Sequence, residues 1–234
     1  VGVASFGETF AMLDDNDNIL SDSMLYTDPR GDEECRELCT LLGEEKMTSI
    51  TGVKPNKMYS ISKIMWHKIN TPEIYRRCTK ILLGEDFIVY TLTGIRTIDY
   101  SLAARTGAFN IAEKKWCREI FDAAGVSLAL MSEPVESGTY AGLITEDIKK
   151  LLGISYDIKV INCCHDQVAA MIGSGVFEKG IAMDGTGTVE CIPVIFDAIP
   201  NDPKLYDKGY SVVPSVNGKY ACYALSFTGG ATLK

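Results

Sequence analysis

Histidine is nearly absent from this sequence: His67 and His165 are the only two. None of the eight cysteines, Cys35, Cys39, Cys78, Cys117, Cys163, Cys164, Cys191 and Cys222, belongs to a CxxC pair. With so few imidazoles and no ligand quartet at finger or ribbon spacing, the sequence argues against a zinc site. Without secretory context it also argues against a disulfide framework. The thiols read as small reduced hydrophobes in a cytoplasmic protein. No apolar run approaches the roughly 18 residues of a membrane span. The opening Val1-Gly2-Val3-Ala4-Ser5-Phe6 lacks the basic region and long apolar stretch of a secretory signal. Lys and Arg number 23 against 31 Asp and Glu and form no cluster, so nucleic acid is not an expected partner. A homodimer is left open.

What is present is a chain of 234 residues, 46% apolar, with 21 glycines and a net charge of −8. That is enough for a substantial core, and the charge is too modest for disorder. One domain over residues 1–234 is expected, with no repeat and no long linker. The chain opens without Met inside a strand-like run and stops at Gly229-Gly230-Ala231-Thr232-Leu233-Lys234, so both ends are expected to be cuts in a longer protein. Strands are expected at 1–6, 8–13 and 19–26, with a turn at Asp14-Asp15-Asn16-Asp17-Asn18, where Asp and Asn side chains bond their own backbone. Helical spacing recurs at 33–42, 60–69, 74–79, 85–92 and 115–124. In the later half, Thr145 is placed to cap a helix running to Leu152, with Glu146 and Asp147 at its positive end. After it come a strand at 158–162, a helix at 167–172, and strands at 181–183, 189–196, 210–213 and 220–225. Hairpins alternating with strand–helix–strand units make the class α/β with a mixed sheet.

Three groups of residues could carry chemistry. Cys163-Cys164-His165-Asp166-Gln167 falls at the carboxyl end of an expected strand and the mouth of a helix, the edge where open α/β sheets bind ligands. The plainer reading of Asp166 is a helix cap. A Cys–His nucleophile pair fails because neighbours on an extended segment point to opposite faces. Asp184-Gly185-Thr186-Gly187-Thr188, between strands, could turn backbone N–H groups and hydroxyls toward a phosphate, or be an ordinary hairpin turn. It is not a Walker A loop, and the chain contains no GxGxxG. Gly7-Glu8-Thr9 and Tyr26-Thr27-Asp28-Pro29-Arg30 place carboxylates and a guanidinium where they could hold polyol hydroxyls, or simply form a surface ion pair.

Read in order, these pieces resemble the FGGY carbohydrate kinases, relatives of glycerol kinase, xylulokinase and gluconokinase. Leu92-Thr93-Gly94, then Thr97-Ile98-Asp99-Tyr100-Ser101-Leu102-Ala103-Ala104-Arg105-Thr106, Phe109-Asn110-Ile111 and Trp116 look like the family's LTG…TDYxxASRT…FNI…W block. His165-Asp166-Gln167 with Ala170, Gly173 and Gly175 looks like HDQxxAxxGxG, and Gly185-Thr186-Gly187 like the phosphate hairpin. The terminal Gly229-Gly230-Ala231 resembles the passage into a second domain.

The resemblance implies a ribonuclease H-like, actin-like ATPase fold and transfer of phosphate from ATP, with Mg²⁺, to a sugar or polyol hydroxyl. Asp166 would be the general base. Gly7, Glu8, Asp28, Arg30, Tyr59 and Gln167 would line the sugar site, with Lys63 in the same region. Gly185, Thr186, Gly187 and Gly230 would meet the nucleotide. No metal ligand is assigned. Glycerol kinases carry arginine where this chain has Gly7, which implies open room there and a substrate longer than glycerol. Xylulokinases carry Met-His at the same place, so xylulose is not implied either. The family's first phosphate loop and its second, nucleotide-binding domain would lie outside this chain, so the piece alone is expected to be inactive and not to bind ATP in the micromolar range. The alternative is a kinase-like domain that binds or senses sugar without catalysis.

Overall fold

The computed structural model describes residues 1–186 and 189–226. Its organising feature is a three-stranded mixed sheet. Gly2–Ser5 runs parallel to Lys159–His165, which pairs on its other side with the antiparallel Tyr140–Leu143. Val3 lies opposite Asn162 and Ser5 opposite His165, so Ala4 faces two residues, Cys163 and Cys164. Such a bulge bends a strand and re-aims its last side chains. Both parallel strands therefore end together, and Phe6-Gly7-Glu8 and His165-Asp166 leave the sheet side by side. Helix Gly84–Thr93 covers these strands, with Val89 packed beside Val3, Ile144 and Val160 in a small satellite core.

Phe10–Leu13 extends the chain after Glu8 and pairs antiparallel with Lys80–Leu83. That partner, Lys-Ile-Leu-Leu, is a run too short to show periodicity. The expected strand at 19–26 does not form: beyond a single bridge between Leu13 and Ile19, residues 20–26 have no ladder. Lys80–Leu83 pairs along all of Phe10–Leu13, and Ile19 and Leu25 stay exposed. The turn before it does form, with Asp14 Oδ1 accepting from the N–H groups of Asn16 and Asn18 at 2.9 and 3.0 Å. The strand expected at 181–183 is likewise only a bridge, Ala182 to Val194, and the run 189–196 divides at Pro193 into Glu190–Cys191 and Val194–Phe196. Proline has no N–H for a ladder.

Helices Asp32–Leu42, Ser60–Asn70 and Pro72–Arg77 follow the expected spacing, the last opening on the proline whose missing N–H costs nothing at that position. Helix Glu44–Thr51 is additional. It closes on Gly52, at φ 70°, where an added Cβ would stand 2.2 Å from the Val212 carbonyl oxygen. Gly52 must be glycine because backbone packs directly on backbone there. The helix expected from 115 begins at Arg118, because Lys115–Trp116 pairs with Phe109–Asn110 as a hairpin.

A second sheet, Val194–Phe196, Tyr220–Tyr223 and Ser211–Pro214, is antiparallel. It packs under the short helix Tyr100–Ala104, so its residues Ser211 and Tyr223 come beneath Arg105, the residue that closes that helix. Among the described residues no helix is long and apolar enough to cross a membrane. All eight cysteines are free.

Candidate active site

A cavity of about 150 Å³ opens at the shared ends of the two parallel strands. Gly7, Glu8, Arg105, His165, Asp166 and Gln167 form its polar wall, and Phe6, Met58, Val189 and Leu225 part of the rest. Glu8 sits at φ 65°, and its turn is closed by the Thr9 N–H donating to the Gly7 carbonyl at 2.7 Å. An i to i+2 turn with positive φ on a residue that is not glycine is strained, and persists only where its surroundings hold it.

Arg105 does the holding. Its Nε donates to Glu8 Oε1 at 2.6 Å, and Nη2 contacts the same oxygen. Both side chains are buried, Arg105 to 1% exposure. The guanidinium lies 5.1 Å from the Tyr59 ring centre and 5.8 Å from that of Tyr223, with Nη1 3.5 Å from Ser211 Oγ and 3.4 Å from Tyr223 Oη. Burial pushes the Glu8 carboxyl above its ordinary range, the neighbouring guanidinium opposes this, and the Asp166 carboxylate adds to it.

The room expected above Gly7 is already filled. A Cβ there would meet Arg105 Cγ at 2.8 Å and His165 Cδ2 at 3.2 Å. Gly7 is what allows Arg105 to reach Glu8, so a guanidinium comes to this carboxylate from another element of the fold.

Asp166 opens helix Asp166–Gly173, with its side chain 46% exposed. Burial raises its carboxyl above the ordinary value, against hydrogen bonds from Gln167 and the charge of Arg105. His165, immediately before it, is buried. Desolvation, reinforced by Arg105, holds its imidazole well below the usual titration range and therefore neutral at pH 7. The His165 backbone N–H donates to Ser101 Oγ at 2.9 Å, and Ser101 Oγ donates to Asp99 Oδ1 at 2.7 Å. Asp99 also caps helix Tyr100–Ala104 through the N–H groups of Ser101 and Leu102. The Asp99-Tyr100-Ser101 motif thus anchors the strand end from behind. Beneath it lie Glu85, pushed up to about 9 by burial and the Asp99 carboxylate, and Asp86, pushed up to about 7 by burial.

Of the residues singled out in the sequence, Gly7, Glu8, Asp166 and Gln167 share the cavity. Tyr59 lines an adjoining cavity of about 320 Å³ that shares Met58, Arg105 and Leu225 with the first. Asp28 and Arg30 line neither. They pair with each other through Nε–Oδ1 at 2.9 Å and Nη2–Oδ2 at 2.6 Å, and Arg30 lies 4.9 Å over the Trp66 ring. The Arg30 hydrogen bonds hold the Asp28 carboxyl well below the usual carboxylate range. Tyr26 of the same loop does reach the cavity. Lys63 is fully buried, donating to the carbonyls of Leu25 and Asp28. Gly185 and Thr186 pair with Glu190–Cys191, and Thr186 Oγ1 donates to Asp184 Oδ1 at 3.1 Å. Gly187 and Gly230 lie outside the described residues. Among the described residues no three His, Cys, Asp or Glu side chains gather as a metal-binding group.

A mixed sheet whose parallel strand ends deliver two carboxylates to one cavity agrees with the ribonuclease H-like, actin-like ATPase fold that the resemblance implies. The comparisons name its family. Residues 1–173 match the profile of the FGGY family of carbohydrate kinases, N-terminal domain, and the chain belongs to that family. It is 27% identical over 230 residues to a xylulose kinase of Lactococcus lactis, covering 97% of this chain and 44% of that one. It is 30% identical over 198 residues to a glycerol kinase of Thermococcus onnurineus, covering 80% and 38%. The structure of a xylulose kinase from Rhodospirillum rubrum superposes with a TM-score of 0.90 at 20% identity, over 99% of this chain and 47% of that chain. The chain spans less than half the length of these relatives.

Proposed function

We propose that this chain is the sugar-binding domain of a kinase that transfers phosphate from ATP to a hydroxyl of a sugar, polyol or sugar acid, with Asp166 as general base. The observation that carries the reading is the shared cavity: a half-exposed carboxylate with raised proton affinity stands beside a buried carboxylate already neutralised by Arg105. Glu8 and Gln167 would hold neighbouring hydroxyls while Asp166 takes the proton of the attacking one as its oxygen bonds to the γ-phosphorus and the bond to ADP breaks. Tyr59 would bound the far end of a longer substrate. The Asp28–Arg30 pair would set the loop that brings in Tyr26. Mg²⁺ bound with ATP would supply charge neutralisation on the transferring group, and Gly185 and Thr186 are the described residues proposed to meet phosphate. With so few nucleotide contacts, this stretch by itself is proposed to be inactive. A cytoplasmic location belongs to the same reading, supported by eight free cysteines.

The test is a thermal-shift panel of pentoses, hexoses, polyols and aldonates. A ligand at about 100 times its Kd stabilises by about 2.7 kcal/mol, or roughly 5–10 °C for a chain of this size. At least one member should give that shift, and Gln167→Ala, which leaves the Glu8–Arg105 pair intact, should reduce it by half or more. A panel with no response contradicts the reading. In the phosphorylating protein, transfer to that ligand which Asp166→Asn abolishes separates a kinase from a sugar sensor.

A further inference from the structure

We propose that Tyr223 is a positioning residue for Asp166: it fixes the tautomer of His165 so that the imidazole presents an N–H to the Asp166 carboxylate. The inference rests on Asp166 acting as the base. Tyr223 stands on strand Tyr220–Tyr223, beyond the residues that match the family profile.

Tyr223 Oη lies 3.4 Å from Arg105 Nη1 and 3.3 Å from His165 Nδ1. A guanidinium has only donors. The phenol oxygen therefore accepts from Arg105, and its single proton is free for His165 Nδ1. Nδ1 is then placed to accept, and the acceptor-only Asp166 carboxylate facing Nε2 calls for the same tautomer. The ring is buried and neutral, so its one proton sits on Nε2, which stands 3.2 Å from Asp166 Oδ1. The ring cannot easily turn away, since its Cδ2 edge packs over Gly7, its face lies nearly parallel to Tyr223 at 15°, and its backbone is tied to Ser101.

Glu8, Arg105, Tyr223, His165 and Asp166 thus form one chain of polar contacts from the buried carboxylate to the half-exposed one. An N–H on the nitrogen that faces Oδ1 across 3.2 Å leaves Oδ2 for the substrate hydroxyl. The charge of Arg105 reaches the base by orientation of a neutral ring, and no proton passes along the chain.

The two histidines make this directly measurable. In ¹⁵N spectra of the imidazoles of the ligand-free chain at neutral pH, with His67→Gln used for assignment, His165 should show a pyridine-type Nδ1 and a pyrrole-type Nε2. Tyr223→Phe, which keeps the ring and removes the donor, should lose that single-tautomer signature and give a mixture. Protonation on Nδ1 or on both nitrogens in the unaltered chain overturns the proposal, as does an unchanged tautomer in Tyr223→Phe. Should that variant not fold, a through-hydrogen-bond coupling between the Tyr223 hydroxyl proton and Nδ1 in the unaltered chain decides: its presence supports the assignment and its absence overturns it. Because no sugar or nucleotide enters this experiment, its outcome is separate from that of the sugar panel. A failed panel with the expected tautomer removes the proposed function and the base to be positioned, while the tautomer assignment stands.

Discussion

Arg105→Met should lower the unfolding free energy of the chain by about 3–5 kcal/mol, the cost of removing one partner from a buried ion pair. The residual carboxylate is the source of the penalty. Glu8 is buried with its turn at positive φ, and Arg105 is the cation that reaches its carboxylate oxygen. Without it, burial and the Asp166 carboxylate act on Glu8 with Lys63 alone opposing them, and its proton affinity rises further. A carboxyl whose folded pKa is raised contributes stability that is present at low pH and lost as pH rises through that pKa. The deficit of Arg105→Met should therefore be larger at pH 8 than at pH 5. The double variant Glu8→Gln/Arg105→Met carries no uncompensated charge and should recover much of the loss while giving no sugar-dependent shift. Urea melts at the two pH values check this. An Arg105→Met variant within about 1 kcal/mol of the parent would show that the pair does not hold the site together.

Asp166→Asn should leave the fold intact and reduce kcat of the phosphorylating protein by about 10²–10⁴-fold, the usual contribution of a positioned base. The change is isosteric, and the side chain is half exposed, so little packing is disturbed. The hydroxyl proton then has no acceptor of sufficient basicity. In the parent protein the base must be ionised, so kcat/KM should fall as pH drops through the Asp166 pKa. Since burial raises that pKa, the acid limb should lie above the ordinary Asp value of 3.8. Parent-like turnover in Asp166→Asn on the sugar that the protein uses would remove Asp166 from the chemistry.

Part of this site was legible in the sequence, because local signals are strong where residues act on near neighbours. The Asp14 turn, the Thr145 cap and the helix opening at Asp166 each rest on contacts within a few positions. The run from Ile19 to Tyr26 misled for the complementary reason. Its composition suits a strand, but a strand exists only with a partner, and after the Leu13–Ile19 bridge and the Leu20 N–H bond to the Met12 carbonyl the run leaves Phe10–Leu13 without forming a ladder. The motif around Asp99 to Thr106 pointed to the family without disclosing its physical role. Arg105 follows a run of small apolar residues, which hints at a buried guanidinium in need of a carboxylate, yet that carboxylate is 97 residues away. Tyr223 is 118 residues from Arg105 and 58 from His165. Nothing in the spacing of one sequence joins them. The room expected above Gly7 failed the same way, since what fills it comes from a distant helix end.

The proposed sugar site is the cavity at the ends of Gly2–Ser5 and Lys159–His165. Amide chemical-shift mapping of the intact chain, titrated with whichever sugar or polyol gives the largest thermal shift, tests it most directly. Saturable shifts should concentrate at Gly7, Glu8, Arg105, Asp166 and Gln167, with smaller ones at Tyr26 and Tyr59 and none at Trp116 or Glu119 on another face. Saturable shifts that spare Glu8, Asp166 and Gln167 and gather elsewhere on the chain would contradict it.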